Sequence, residues 1–174
     1  MSSAKPVPAS PAAFAVVRWS ASSSSRRPSR ADLVISGGGR NWRAHATGNG
    51  AVDALLRAVD QALALVLGDG VELQSYNVHA TGDGHDAAAA VTLSLRSRSD
   101  DPHAPAYPGR GVHVNILEAS LVAYIDAINR LVAHANIDVA AAAPAPGETK
   151  VTSRVEDADA SLRHRELFMK MFNP

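Results

Sequence analysis

The sequence predicts an α+β domain made of two strand-strand-strand-helix units, with antiparallel sheets and helices packed on one side. Three observations carry that expectation. A row of alanines at 54, 58 and 62 recurs at 119, 123 and 127, each pair related by one offset of 65 residues. Each row follows a Gly-x-Gly string, Gly48-Asn49-Gly50 and Gly109-Arg110-Gly111, which reads as a tight turn from strand into helix. Between them, Ala87, Ala89, Val91, Leu93 and Leu95 alternate with Ala88, Ala90, Thr92, Ser94 and Arg96, the period of a half-buried strand. An i, i+4, i+8 row lies on one helix face, and alanine there lets another backbone come close. A duplicated unit of this kind implies pseudo-twofold architecture with a site at the seam.

The elements follow in order. Residues 1–12 are rich in Pro, Ala and Ser and read as a disordered leader. Phe14 to Ser20 is a strand, with Val16, Val17 and Trp19 suited to a pleated surface. Ser22 to Arg30 is a polar loop, Ala31 to Ser36 a second strand ended by three glycines, and Asn41 to Ala46 a third. Ala51 to Leu67 is a helix, with Gly68 placed to cap it. The second unit repeats the order: a strand over 71–81, a Gly82-Asp83-Gly84 turn, the alternating strand, a Pro-rich loop from Asp100 to Pro108, and a short extended piece from Gly111 to Val114. Asn115 and Glu118 then form a capping-box pattern for a helix running to about Ala135, with Asp126 and Arg130 spaced as an i, i+4 pair. The expected organisation is a domain over 13–135, with unit one at 13–68 and unit two at 71–135. Residues 136–174 read as linker and tail, with a short helix within 158–172 or a frayed end as the two alternatives.

The chain has 174 residues and can bury a real core. Lysine plus arginine equals aspartate plus glutamate, so bulk charge argues against nucleic acid. It has no cysteine, hence no disulfide framework, thiolate metal site or thiol nucleophile. No apolar run is long enough to span a bilayer. Residues 1–31 carry Lys5, Arg18, Arg26, Arg27 and Arg30, many serines and no acid, a composition shared with organelle transit peptides. A leader followed by a strand and a basic hairpin fits better, because the first unit needs Phe14 to Ser20. The expected compartment is therefore the cytoplasm, with organelle targeting as the alternative.

Candidate chemistry is sparse. A Gly-x-Gly turn before a helix presents backbone N–H groups and the positive end of the helix dipole, which suits a carboxylate or phosphate. The same glycines also serve as plain turn residues. The pattern lacks the third glycine of a dinucleotide fingerprint and the lysine of a phosphate-binding loop. His79, Asp83, His85 and Asp86 lie close together, but across a strand end and a turn rather than at helical ligand spacing. No nucleophile elbow is present. Asp53 complements the first helix dipole and stands where it can meet a ligand ammonium. Tyr76 and Tyr124 read as core or seam residues. No catalytic residue, metal or cofactor is therefore expected.

Three strings bear a family resemblance: Gly48-Asn-Gly-Ala-Val-Asp-Ala54, Ser75-Tyr-Asn-Val-His-Ala80, and Gly111 to Ser120 followed by Ala123 to Asn129. In this order the chain resembles the C-terminal regulatory domain of 2-isopropylmalate synthase and citramalate synthase over about residues 14–133. The resemblance implies two strand-strand-strand-helix units, a homodimer, and leucine or isoleucine bound between units to slow a distant catalytic barrel. It places an effector turn at Gly48, Asn49 and Gly50, with Val52 and Asp53 at the helix start. Leu73, Tyr76 and Ala80 would form a wall, and Val112 and Val114 would close the pocket. Ala51 stands where that family has proline, and His113 and Val114 replace small or polar residues. The catalytic barrel has no counterpart in these residues. The expected protein is a stand-alone amino-acid-binding regulatory and dimerisation domain, without catalysis, acting on a 2-isopropylmalate synthase-like partner and on neither nucleic acid nor membrane. The alternatives are a dimerisation scaffold that has lost its ligand, or a fragment of a longer synthase.

Overall fold

A computed structural model of the chain describes residues 14–82, 84, 86–98 and 103–142. The expected leader and most of the expected tail lie outside these residues. Two three-stranded antiparallel sheets are present, each with sequential strand order. The first holds β1 (Ala15–Ser22), β2 (Ser29–Gly37) and β3 (Arg40–Gly48), followed by α1 (Ala51–Ala62) and the one-turn α2 (Ala64–Leu67). The second holds β4 (Val71–Thr81), β5 (Ala88–Ser97) and β6 (Ala106–His113), followed by α3 (Ile116–His134). The α+β class and the repeated order are as the sequence predicts.

Alternation sets which face each sheet buries. Ala31, Leu33 and Ile35 of β2 are buried, and their partners across β3 are Ala46, Ala44 and Trp42. In the second sheet Val91, Leu93 and Leu95 are buried, facing Gly111, Gly109 and Tyr107 of β6. A helix packs on each of these faces, α1 against β2 and β3 and α3 against β5 and β6. The alanine rows are the contact surfaces, since all six alanines are buried.

The second Gly-x-Gly string is not a turn. Gly109 and Gly111 lie inside β6, and the strand runs on to His113. Applying the 65-residue offset of the alanine rows aligns Gly109 and Gly111 with Ala44 and Ala46 of β3, and Gly50 with Asn115. Gly50 and Asn115 are indeed the two N-caps. What repeats is a small-x-small pair in the third strand, where the strand crosses the alanine row. The first Gly-x-Gly sits at the strand end and cap, four residues further along its unit. The loop expected to reach Pro108 correspondingly ends at β6, which starts at Ala106.

Other boundaries also shift. The expected helix over 51–67 breaks at Leu63, a fully buried residue with φ −102° and ψ 12°. No proline or glycine marks the break, so no local signal predicts it. Gly68, at φ 56°, ends α2 in a backbone region that side chains avoid. The capping box at α3 is half formed. Asn115 Oδ1 accepts from Leu117 N–H at 2.9 Å, but the Glu118 carboxylate is taken by Trp19 of β1. Residues 136–142 are not free linker: Val139 is fully buried and lies over the Gly38 backbone.

Candidate functional site

The first cluster is the start of α1. Gly50 is extended at φ −150° and ψ 169° and offers no side-chain cap. Asp53 reaches back from the helix to the residue before the cap and leaves the first-turn N–H groups uncapped. Its Oδ2 accepts the Asn49 N–H at 2.9 Å, and its Oδ1 accepts from Arg57 Nε at 2.9 Å. Partial burial pushes the Asp53 pKa up, but the Asn49 hydrogen bond and the Arg57 guanidinium outweigh it, leaving the pKa below the usual carboxylate range. An ionised carboxylate therefore sits at the positive end of the helix dipole. It is available to an incoming ammonium. The Asn49 N–H is already taken, so a ligand carboxylate here would meet only the first-turn N–H groups of residues 51 to 53. Val52 is half-buried against the core. Gly48 is sterically required, because a Cβ there would stand 2.5 Å from Ala54 N.

The second cluster is β4. Leu73, Tyr76 and Ala80 face Leu95, Leu93 and Ala89 across β5, so all three lie on the helix side of the sheet. A bulge between Leu73 and Ser75 makes this so. Without it, residues three apart would point to opposite faces. Tyr76 is tied down, its hydroxyl 2.7 Å from Ser120 Oγ, which donates to Ile116 O. Leu73 is 41% exposed and Ala80 is exposed.

Val112 does not join this wall. It pairs with Ala90 and lies on the opposite face of the sheet, half exposed. Val114 follows the strand end and is 70% exposed. Within the chain, then, the turn residues form one group, Leu73, Tyr76 and Ala80 a second, and Val112 stands apart from both.

Contacts across the two units were not legible from local sequence. Tyr124 of α3 donates to Asp60 Oδ1 of α1 at 2.7 Å. Asn129 accepts the Phe14 N–H at 2.7 Å and donates to the Phe14 carbonyl at 3.0 Å. The Trp19 indole N–H donates to Glu118. Burial pushes the Asp60 pKa up, and the Tyr124 hydroxyl and the charges of Arg98 and Arg57 only partly offset it. Burial, reinforced by the Asp60 charge, also pushes the Tyr124 pKa far up. The Asp126–Arg130 pair forms as the spacing predicts, and Asp126 also accepts the Arg110 N–H. Of the histidine and aspartate group near the β4 end, Asp83 and His85 lie outside the described residues. Among the described residues no three His, Cys, Asp or Glu side chains are placed to hold a metal ion. No helix among them is long and apolar enough to cross a membrane.

The family model for the LeuA allosteric (dimerisation) domain matches residues 3–132. The chain belongs to this family. The LeuA-type match covers both strand-strand-strand-helix units but for the last residues of α3. Relatives include 2-isopropylmalate synthase from Nitrosospira multiformis, 38% identical over 101 residues, which is 58% of this chain and 18% of that protein. The protein of the same name from Aromatoleum aromaticum is 38% identical over 102 residues, covering 59% of this chain and 18% of that one. That from Xanthomonas campestris pv. campestris is 42% identical over 86 residues, 49% of this chain and 15% of the relative. The chain thus spans less than a fifth of the length of these relatives.

Proposed function

We propose that this LeuA-type domain is a regulatory module that dimerises and binds a branched-chain amino acid of the leucine type. It would thereby adjust a 2-isopropylmalate synthase-type catalytic unit in leucine biosynthesis. The observation that carries the reading is the match to the allosteric (dimerisation) domain across both units. Two features of the fold support it. Asp53 is held ionised at the start of α1 and can receive an α-ammonium. The helix-side face of β4 is only partly covered, since Tyr76 reaches α3 while Leu73 stays 41% and Val78 38% exposed, and a second copy would cover these two. The reading assigns the chain no catalysis. Asp53, Asp60, Glu118, Asp126 and Asp138 are each engaged in hydrogen bonds that hold the fold, rather than converging on a common point.

Linkage sets what the ligand must do. It shifts the catalytic unit only by the difference in its affinity for two states of the assembly. Calorimetric titration with leucine, isoleucine and valine tests the reading, with saturable binding of one of them expected. Asp53→Ala should weaken that binding by about tenfold or more, roughly 1.4 kcal/mol, if the carboxylate pairs with the ammonium. Gly50→Asp should weaken it too, and unchanged affinity there would move the pocket away from the turn.

A second reading is a dimerisation scaffold that has lost its ligand. It is favoured by the Asn49 N–H being already bonded to Asp53 and by Val112 lying off the β4 wall. A sedimenting dimer that gives no heat with any of the three amino acids would establish it.

A further inference from the structure

The chain is neutral as a whole, but its charge is segregated. Residues 14–50 hold six arginines against one acid, Asp32. The register shows where they go. Arg18, Val34 and Arg43 form one row across the first sheet. Ser20, Asp32 and His45 form the next, and Ser22, Arg30 and Thr47 the third. These rows lie on the face turned away from the helices, because Ala31, Leu33 and Ile35 between them belong to the core under the helices, whereas Val34, buried at 7% exposure between Arg18 and Arg43, does not. Arg26 and Arg27 extend the face from the hairpin between β1 and β2. Arg18, Arg26, Arg27, Arg30 and Arg43 are all exposed. The ion pairs among the described residues, Arg57–Asp53 and Arg130–Asp126, involve none of them.

We propose that this outer face of the first sheet is a docking surface for an acidic surface on another protein. The proposal does not depend on the effector reading. Spacing selects the class of partner. Arg18 and Arg43 are two strands apart, about 10 Å, and Arg30 stands about 13 Å from their row at ~3.3 Å per residue. One phosphate or carboxylate cannot bridge such a grid, whereas several carboxylates on a folded surface can. Nucleic acid fits less well. The aromatic residues of this sheet, Trp19 and Trp42, pair with Leu33 and Ile35 on the helix side, so the arginine face has no stacking platform. Asp32 sits in its centre and would repel a phosphate backbone. On a protein interface the same aspartate can accept a partner's hydrogen bond. Guanidinium groups suit the carboxylates of such a partner through paired N–H donors.

The test uses the full chain with fluorescently labelled poly-L-glutamate as the acidic probe and duplex DNA as the competing polyanion. Polarisation should show saturable poly-L-glutamate binding at low salt that weakens at physiological salt, where charges are screened beyond about 8 Å. The triple variant R18E/R30E/R43E should lose at least about tenfold in affinity. The variant R57E/R98E/R130E makes the same change in net charge away from this face and should bind as the parent does. Equal loss in both triples would reduce the effect to bulk charge and overturn the proposal. Tighter binding of DNA than of poly-L-glutamate would overturn it in favour of a nucleic-acid face, and no binding to either would overturn it outright. If the charge-reversed triple unfolds by circular dichroism, R18Q/R43Q is read instead, with a several-fold loss expected and an unchanged affinity counting against the surface.

Discussion

A Cβ on Gly109 would stand 2.0 Å from the Ala123 carbonyl oxygen and 2.9 Å from the Ala127 methyl carbon. One on Gly111 would stand 2.1 Å from the Ala119 carbonyl oxygen. Neither obstacle is the end of a flexible side chain, so strand and helix would have to separate. Gly109→Ala and Gly111→Ala should each destabilise the fold by about 2–4 kcal/mol in urea denaturation. Gly50 has open space around its Cβ position and an ordinary extended backbone. Gly50→Ala should change stability by less than about 1 kcal/mol. Asp60 gives a pH prediction with a definite sign. Its folded pKa is raised, so the folded state holds that proton more tightly than the unfolded chain does. That contribution is complete at acidic pH, below the unfolded carboxylate value, and is lost as pH rises through the folded value. Asp60→Asn keeps an acceptor for Tyr124 without the charge. Its stability relative to the parent should therefore grow as pH rises from acid toward neutrality, then level off. Urea midpoints across that range would reveal a gap that fails to widen.

At the scale of elements, β1 and α3 are far apart in sequence and joined by side-chain bonds. Asn129 satisfies both backbone groups of Phe14, just ahead of β1. Glu118 receives the Trp19 indole from the middle of the strand. Asn129→Ala leaves a buried N–H and carbonyl short of partners and should destabilise by about 1–3 kcal/mol. Glu118→Ala should free the indole and move its fluorescence, while Glu118→Gln, which retains an acceptor, should largely preserve the parent spectrum. The β4 bulge acts at the same scale. It alone turns Leu73 to the side of the sheet occupied by Tyr76, Val78 and Ala80. Of this strip, Leu73 and Val78 stay exposed while Tyr76 packs against the core.

The whole molecule is asymmetric despite its repeat. In unit one the helix-side face of β1 meets α3, through Trp19 and Glu118. In unit two the corresponding face of β4 keeps Leu73 and Val78 partly exposed. If a second copy covers this strip, the double variant Leu73→Asp with Val78→Asp should sediment as a monomer while retaining its circular dichroism spectrum. The outer faces differ as well. The first sheet carries the arginine grid, whereas the central strand of the second shows only Ala88, Ala90, Thr92, Ser94 and Arg96 on that side. Two units of one fold therefore present two different surfaces.

The sequence by itself determined the element order, the two repeats and the buried face of the one strand read by its period-two alternation, β5. Those properties depend on side-chain periodicity and on small residues at fixed spacing, which are local. It also located the turn at Gly48 to Gly50 and the i, i+4 pairing of Asp126 with Arg130. The tertiary structure decided what the second Gly-x-Gly string does. A glycine pair suits a turn and a close strand-helix crossing equally well, and only packing against Ala119, Ala123 and Ala127 distinguishes them. It decided the partner of Glu118, since Trp19 lies 99 residues away and competes with a cap contact that local reasoning favours. It decided the register of the β4 wall, because an added residue in a strand leaves no mark on composition. It also separated Val112 from that wall, because successive strand residues face opposite ways and the face is fixed only when β6 pairs with β5.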